Sequence, residues 1–209
     1  MISIFVDTAL SFIRIAIFKD DSLIDFVNEK CEKNMSSLFD VRVRDLFNRN
    51  NLSLGEIDKI YTVTGPGSFT GIRVGMTFSK VLAMSLGLKI TPISELQVLA
   101  STITDNDKAP LIDARRGYVY AGIYDENLNN ILDDKYILLD DFLNISEDVQ
   151  YISYDNFEHI FTTQPSIDFE KIINKNKDKK QIEHQVLTPN YLKLTEAEEN
   201  LRKKNENDN

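Results

Sequence analysis

Three short runs carry residue types able to handle phosphate or metal chemistry. Asp7 ends an apolar run and is followed by Thr8. Such an acid could face a nucleotide phosphate through bound Mg²⁺, or it could close a turn, and the turn is the simpler reading. GPGSFTGIRVGM, residues 65–76, packs four glycines and a proline around an aromatic residue. Its spacing rejects the standard phosphate loops. No Gly-Lys-Ser/Thr follows at the Walker distance, and the third glycine of a dinucleotide fingerprint comes one residue late. Backbone N–H groups at the start of a helix there could still hold an anion. Asp113-Ala114-Arg115-Arg116-Gly117 is a tight basic turn. It could touch phosphate or an acidic partner, or be a solvated hairpin.

Other chemistry is scarce. His159 and His184 are the two histidines, far apart and with no carboxylate or cysteine at ligand spacing, so surface roles are expected. Cys31 has no positioned histidine nearby. Ser68 lacks the G-x-S-x-G elbow of a hydrolase nucleophile.

The elements that must position these runs follow from hydropathy patterning. Residues 2–6, 12–18 and 23–27 read as three strands of an antiparallel meander. Residues 36–49 suit a helix with one apolar side. A strand at 57–64 leads into the glycine run. A long helix is expected over Phe69–Leu86, closed by Gly87 at C′. A strand at 88–91 and a helix at 94–101 follow, with Ser94 and Gln97 at capping-box spacing. Strands at 110–113 and 118–124 complete a mixed α/β plan. Residues 4–21 and 110–127 share a layout of apolar strand, Asp, polar turn, alternating strand and acidic turn, which would suit a duplicated two-lobe fold. Residues 168–180 read as a solvated helix or loop, 188–193 as a compact punctuated segment, and 195–209 as a polar tail.

Composition sets limits. The 209 residues carry 33 acidic and 24 basic side chains, a formal charge of −9, which argues against a broad nucleic-acid footprint while leaving a local basic patch open. One cysteine excludes an internal disulfide and fits a reducing compartment. The first residues make a poor signal peptide, and no apolar run approaches 18 residues, so a cytoplasmic location without a membrane span is expected.

Gly71, Gly75, Ser79, Ala83 and Gly87 recur every four residues and form one ridge of small side chains. Glycine inside a helix costs roughly 0.5–1 kcal/mol relative to alanine, so a bulkier side chain is not expected to fit there. The remaining faces of this helix are mostly apolar, which calls for cover on every side. That cover is either another protein or the 36–49 helix of the same chain.

Five pieces in order resemble the TsaB (YeaZ) family. They are Val6-Asp7-Thr8, the run from Gly65 to Gly75, Ser94-Glu95-Leu96, Asp113-Ala114-Arg115-Arg116-Gly117 with Tyr120, and Pro189-Asn190-Tyr191-Leu192-Lys193. The resemblance spans nearly the whole chain, and GPGSFTG is its most specific part. It implies an α/β fold with two ribonuclease-H-like lobes of the actin/Hsp70/sugar-kinase (ASKHA) superfamily, the second lobe reduced. The division implied is a first lobe over 1–104, a second over 105–194 and the tail after it.

The resemblance also implies a non-catalytic partner of TsaD, the enzyme that forms threonylcarbamoyladenosine on tRNA, with the ATPase TsaE joining the complex. Contact with tRNA is implied through the complex alone, and for the free chain both a monomer and a homodimer stay open. ATP and Mg²⁺ belong to the complex, with no cofactor held firmly by this chain. The partner face implied comprises Leu38, Val41, Asp45, Ser68, Phe69, Thr70, Gly71, Arg73, Gly75, Met76, Ser79 and Ala83. On that reading Gly75→Leu would break assembly and leave the isolated chain folded. Asp7, Thr8, Arg115 and Arg116 remain the candidates for nucleotide or phosphate contact. One departure stands out: the family's histidine near the start of the first long helix is absent from Lys33-Asn34-Met35-Ser36-Ser37-Leu38. The rivals are a stand-alone ATP-binding kinase or ATPase and, last, a peptidase-like protein.

Overall fold

In the computed structural model, which describes residues 1–102 and 106–193, two sheets lie side by side. The first has the order β3-β2-β1-β4-β5. Its strands are β1 (Ile2–Asp7), β2 (Phe12–Lys19), β3 (Ser22–Lys30), β4 (Ile57–Val63) and β5 (Ile90–Ile93). β1 to β3 form the antiparallel meander, while β4 and β5 run parallel to β1 and to each other. This is a ribonuclease-H-like sheet. β1 and β2 are buried on both faces, so their sequences ISIFVD and FIRIAIFK are apolar runs and do not alternate.

The helices α1 (Met35–Arg49) and α2 (Phe69–Leu86) pack together on one face, with Phe39 edge-on to Phe78 at 5.2 Å. α2 begins at an N-cap, Ser68, whose hydroxyl accepts from the Gly71 N–H, and ends at Gly87 in the left-handed conformation, as the sequence predicts.

The second sheet has the order β8-β7-β6-β9. It comprises β6 (Lys108–Asp113), β7 (Tyr118–Tyr124), β8 (Asn130–Leu138) and β9 (Gln150–Ile152). β6 and β7 form an antiparallel hairpin and β9 runs parallel to β6. The β6–β7 hairpin occupies the place that β1–β2 holds in the first sheet, so the internal echo is structural. Among the described residues the second sheet has four strands and is the reduced one. α3 (Glu95–Ala100) is buried between the sheets, and α4 (Leu139–Leu143) covers the far face through Phe142.

Several expectations need correction. No element is predicted between residues 125 and 167, yet β8, α4 and β9 lie there. The capping box at α3 does not form. Ser94 Oγ accepts from the Leu96 N–H at 3.2 Å, but Gln97 turns away to the Leu128 carbonyl and Asn176. α5 (Phe169–Asn176) is no solvated segment: Phe169, Ile172 and Ile173 are buried in the first core, and Phe169 meets Phe5 at 5.7 Å. With Leu187 in that same core and Asn190 N–H bonded to the Thr64 carbonyl, the chain after residue 167 returns to the first sheet and not to a lobe ending at 194. The expected boundary at 104/105 and the tail after 194 fall outside the described residues.

Candidate functional site

The hairpin register sets Asp7 directly opposite Arg14. Asp7 Oδ1 accepts from the Ala9 N–H at 2.8 Å, and Oδ2 accepts from Arg14 Nη1. The same Nη1 donates to Glu95 Oε1 at 2.9 Å, from the first turn of α3. All three side chains are buried. The Arg14 guanidinium is overlaid by the Phe12 ring at 4.8 Å and the Tyr154 ring at 5.5 Å, and those two rings stack on each other. Burial, followed by the negative charge of Asp7, pushes the Glu95 carboxyl well above the usual carboxylate range, against the pull of Arg14. An internal cation therefore sits where two carboxylates converge.

Thr8 is equally committed. Its hydroxyl donates to the Gly71 carbonyl at 2.7 Å and accepts from the Gly75 N–H at 2.9 Å. The glycine run is held by its own chain. Ser68 N–H bonds the Ala9 carbonyl, and the Gly65 carbonyl accepts from Glu95 N–H. Gly65 has φ 117°, and a Cβ there would sit 2.9 Å from the Asn190 carbonyl oxygen. Asp7 thus closes the turn through the Ala9 N–H, and Thr8 ties the end of β1 to α2.

A cavity of about 510 Å³ opens between the sheets above this trio, lined by Leu10, Phe12, Leu99, Leu111, Arg115 and Tyr154 among others. Arg115 is on its rim; Arg116 is exposed but not among its lining residues.

The ridge on α2 is the main correction. Gly71, Gly75, Ser79 and Ala83 are buried, as is Met76. A Cβ on Gly75 would lie 2.7 Å from Thr8 Oγ1 and 3.1 Å from Val6 Cγ1. The small side chains let α2 approach β1 of the same chain and are not a free docking face. What α2 leaves exposed is the opposite stripe, with Phe69, Thr70, Arg73, Val81 and Met84. Val81 is 53% and Met84 61% exposed, high for apolar side chains of a packed helix. On α1, Val41 and Asp45 are exposed and Leu38 is half-buried, on one face. Among the implied partner residues, Leu38, Val41, Asp45, Ser68, Phe69, Thr70 and Arg73 therefore remain accessible in part or in full.

Sequence reasoning missed Arg14, Phe12 and Tyr154. The signal for Arg14 was present: an arginine inside a strand otherwise apolar on both faces, paired across a hairpin turn with an acid at a strand end. Tyr154 carried no signal, since only the sheet brings it to Phe12. His159 is exposed and His184 half-buried. Cys31 is buried with its thiol on the Lys33 carbonyl.

The family described as "TsaD: tRNA N6-adenosine threonylcarbamoyltransferase" matches over residues 26–176. A curated relative from Bacillus subtilis (strain 168), named "tRNA threonylcarbamoyladenosine biosynthesis protein TsaB", is 29% identical over 92% of this chain and 94% of its own length. Two structures from Pseudomonas aeruginosa share the fold. One is described as an uncharacterized protein with similarity to peptidase YEAZ, at TM-score 0.77 and 18% identity over 92% of this chain and 99% of that one. The other, YeaZ, has TM-score 0.71 and 17% identity over 91% and 99%. The chain belongs to this family, in its TsaB (YeaZ) branch. The likeness to these two structures covers both sheets, at 91–92% of this chain. The fold is the two-lobed ASKHA plan with its second lobe cut short.

Proposed function

We propose that this chain is a non-catalytic subunit that pairs with TsaD in forming N6-threonylcarbamoyladenosine beside the anticodon of tRNAs that read codons starting with A. The observation that carries this reading is the commitment of Asp7, Thr8 and the glycine run to contacts within the chain, with Arg14 as a built-in cation. A nucleotide's phosphates and Mg²⁺ would have to displace those contacts. The exposed stripe of α2 with the Leu38–Val41 face of α1 is the pairing surface. The name of the Bacillus subtilis relative supports the pathway. On this reading the chain works in the cytoplasm, TsaE joins the pair, ATP and Mg²⁺ are used by the complex, and the free chain is either a monomer or a homodimer.

The test is size-exclusion chromatography of the chain with its cognate TsaD, with and without ATP and Mg²⁺. A stable 1:1 species is expected. Separate peaks under every condition would remove the pairing. The cavity beside Arg115 favours one second reading, a stand-alone ATP-binding enzyme. Sustained ATP turnover by the chain alone, abolished by Arg115→Ala, would establish that reading instead.

A further inference from the structure

β7 and β8 present three tyrosines on one face beside the basic turn. Tyr118 and Tyr136 stack with centroids 4.6 Å apart and planes 7° from parallel. Tyr120, opposite Tyr136 in the register, adds a third ring at 5.6 Å. All three are half-buried. Lys193 Nζ lies 5.6 Å from the Tyr136 ring. The turn carries Arg115 and Arg116 directly before Tyr118, and the Gly117 carbonyl fixes it by accepting from the Leu139 N–H at 2.8 Å.

Arg115 and Arg116 both sit in the left-handed region, φ 70° and 57°, followed by Gly117 at 77°. Asparagine or glycine would suit that backbone better, so the turn's own geometry does not call for arginine. Arg116 has no ion-pair or hydrogen-bond partner among the described residues. The Arg115 side chain is 87% exposed, with one long ion pair to Asp113 at 3.6 Å. Asp113 itself is occupied by the Arg115 N–H, and Asp155 by the Asp113 N–H. Arg115 and Tyr120 also rim the cavity between the sheets. Cations, aromatic faces and a recess are thus contiguous on a chain whose net charge is −9.

We propose that this surface binds a single-stranded segment of RNA, with phosphates on Arg115 and Arg116 and a base against the tyrosine strip. The chemistry is that of single-strand recognition, in which cations track the backbone and bases stack on aromatic rings. An acidic peptide would use the arginines but has no use for the rings. The proposal rests on the pairing with TsaD: the RNA is the tRNA held by the complex, and this chain supplies part of its grip.

The experiment measures tRNA binding by the assembled complex as a function of salt, using a tRNA that reads a codon starting with A. In the Arg115→Asn/Arg116→Asn variant, asparagine tolerates the left-handed turn. Affinity is expected to fall roughly tenfold, and the slope of log K against log salt to drop by about 1.4, from two single-strand phosphate contacts. Tyr136→Leu is expected to weaken binding roughly tenfold with the slope unchanged, since stacking releases no counterions. Unchanged affinity and slope in an assembled double variant would overturn the proposal. If the double variant loses TsaD instead, the turn is a protein contact and the proposal is also overturned. If the unaltered chain does not assemble, the pairing itself falls and takes this contact with it.

Discussion

Gly75→Ala tests whether the ridge of α2 serves the chain or a partner. The added Cβ would stand 2.7 Å from Thr8 Oγ1, where ordinary contact starts near 3.4 Å, so about 0.7 Å must be found. Thr8 cannot yield freely, because its hydroxyl bridges the Gly71 carbonyl and the Gly75 N–H. Moving it breaks two buried hydrogen bonds worth about 1 kcal/mol each. Lifting α2 instead loosens its contact with Val6, and overpacking typically costs about 1–3 kcal/mol. Alanine returns about 1 kcal/mol of helix propensity. The net loss is about 1 kcal/mol, a drop of about 2–4 °C in Tm for a chain of this size. The assay is thermal and urea denaturation of the isolated chain, alongside Thr8→Ala and the double variant. Removing the hydroxyl should relieve part of the clash, giving a coupling of about 1 kcal/mol. An isolated Gly75→Ala chain with unchanged Tm that no longer binds TsaD would refute the reasoning and restore the ridge as a docking face.

Four further outcomes are expected. Val81→Asp with Met84→Asp should leave the Tm of the free chain within a degree or two and weaken TsaD binding more than tenfold, at about 1.4 kcal/mol per decade; titration calorimetry decides. Arg14→Met should cost about 3–5 kcal/mol in urea unfolding, because the Asp7 carboxylate is left buried without its cation. Glu95 has its folded pKa raised above the ordinary 4.5 by burial, so its contribution is complete below 4.5 and is lost as pH climbs through the folded value. Glu95→Gln should therefore remove a loss of stability with rising pH, read from Tm across a pH series. Asp25 behaves oppositely: hydrogen bonds from Arg49 lower it from 3.8 to about 2, so its stabilisation is present above 3.8 and is lost as pH falls towards 2. Asp25→Asn should cost about 1 kcal/mol at pH 7 after solvent screening, with the difference fading as pH falls through about 2.

The first lobe was legible because its elements follow local rules. The meander, the strand into the glycine run, the N-cap at Ser68 and the C′ glycine at Gly87 are all set within a few residues of sequence. The second lobe was legible only at its central hairpin. β8 carries Asp133 and Asp134 in a strand, against propensity. Asp134 is held there by Tyr124 Oη at 2.5 Å and by the Ser94 hydroxyl, partners supplied by distant elements. α5 looked polar because lysines and asparagines surround its three apolar residues, although the i, i+3, i+4 spacing of Phe169, Ile172 and Ile173 already puts them on one helix face. Asn176 looked like a surface residue, yet it bonds Gln97 at 2.9 Å inside the protein.

The glycine pattern of α2 illustrates a more general limit. A four-residue repeat of small side chains states that some backbone comes close to one side of a helix, and it says nothing about whose backbone. The deciding residue lies 63 positions from Gly71 and 67 from Gly75, in Thr8, whose hydroxyl is both donor and acceptor to α2 and so fixes the helix against β1. A partner protein could supply the same proximity but could not supply a strand already paired in the chain's own sheet. Close approach to β1 then turns the opposite stripe outward. Because helix radius and side-chain spacing are fixed, burying the small ridge obliges Phe69, Val81 and Met84 to face solvent. The ridge is thus the cause of the exposed apolar stripe on α2.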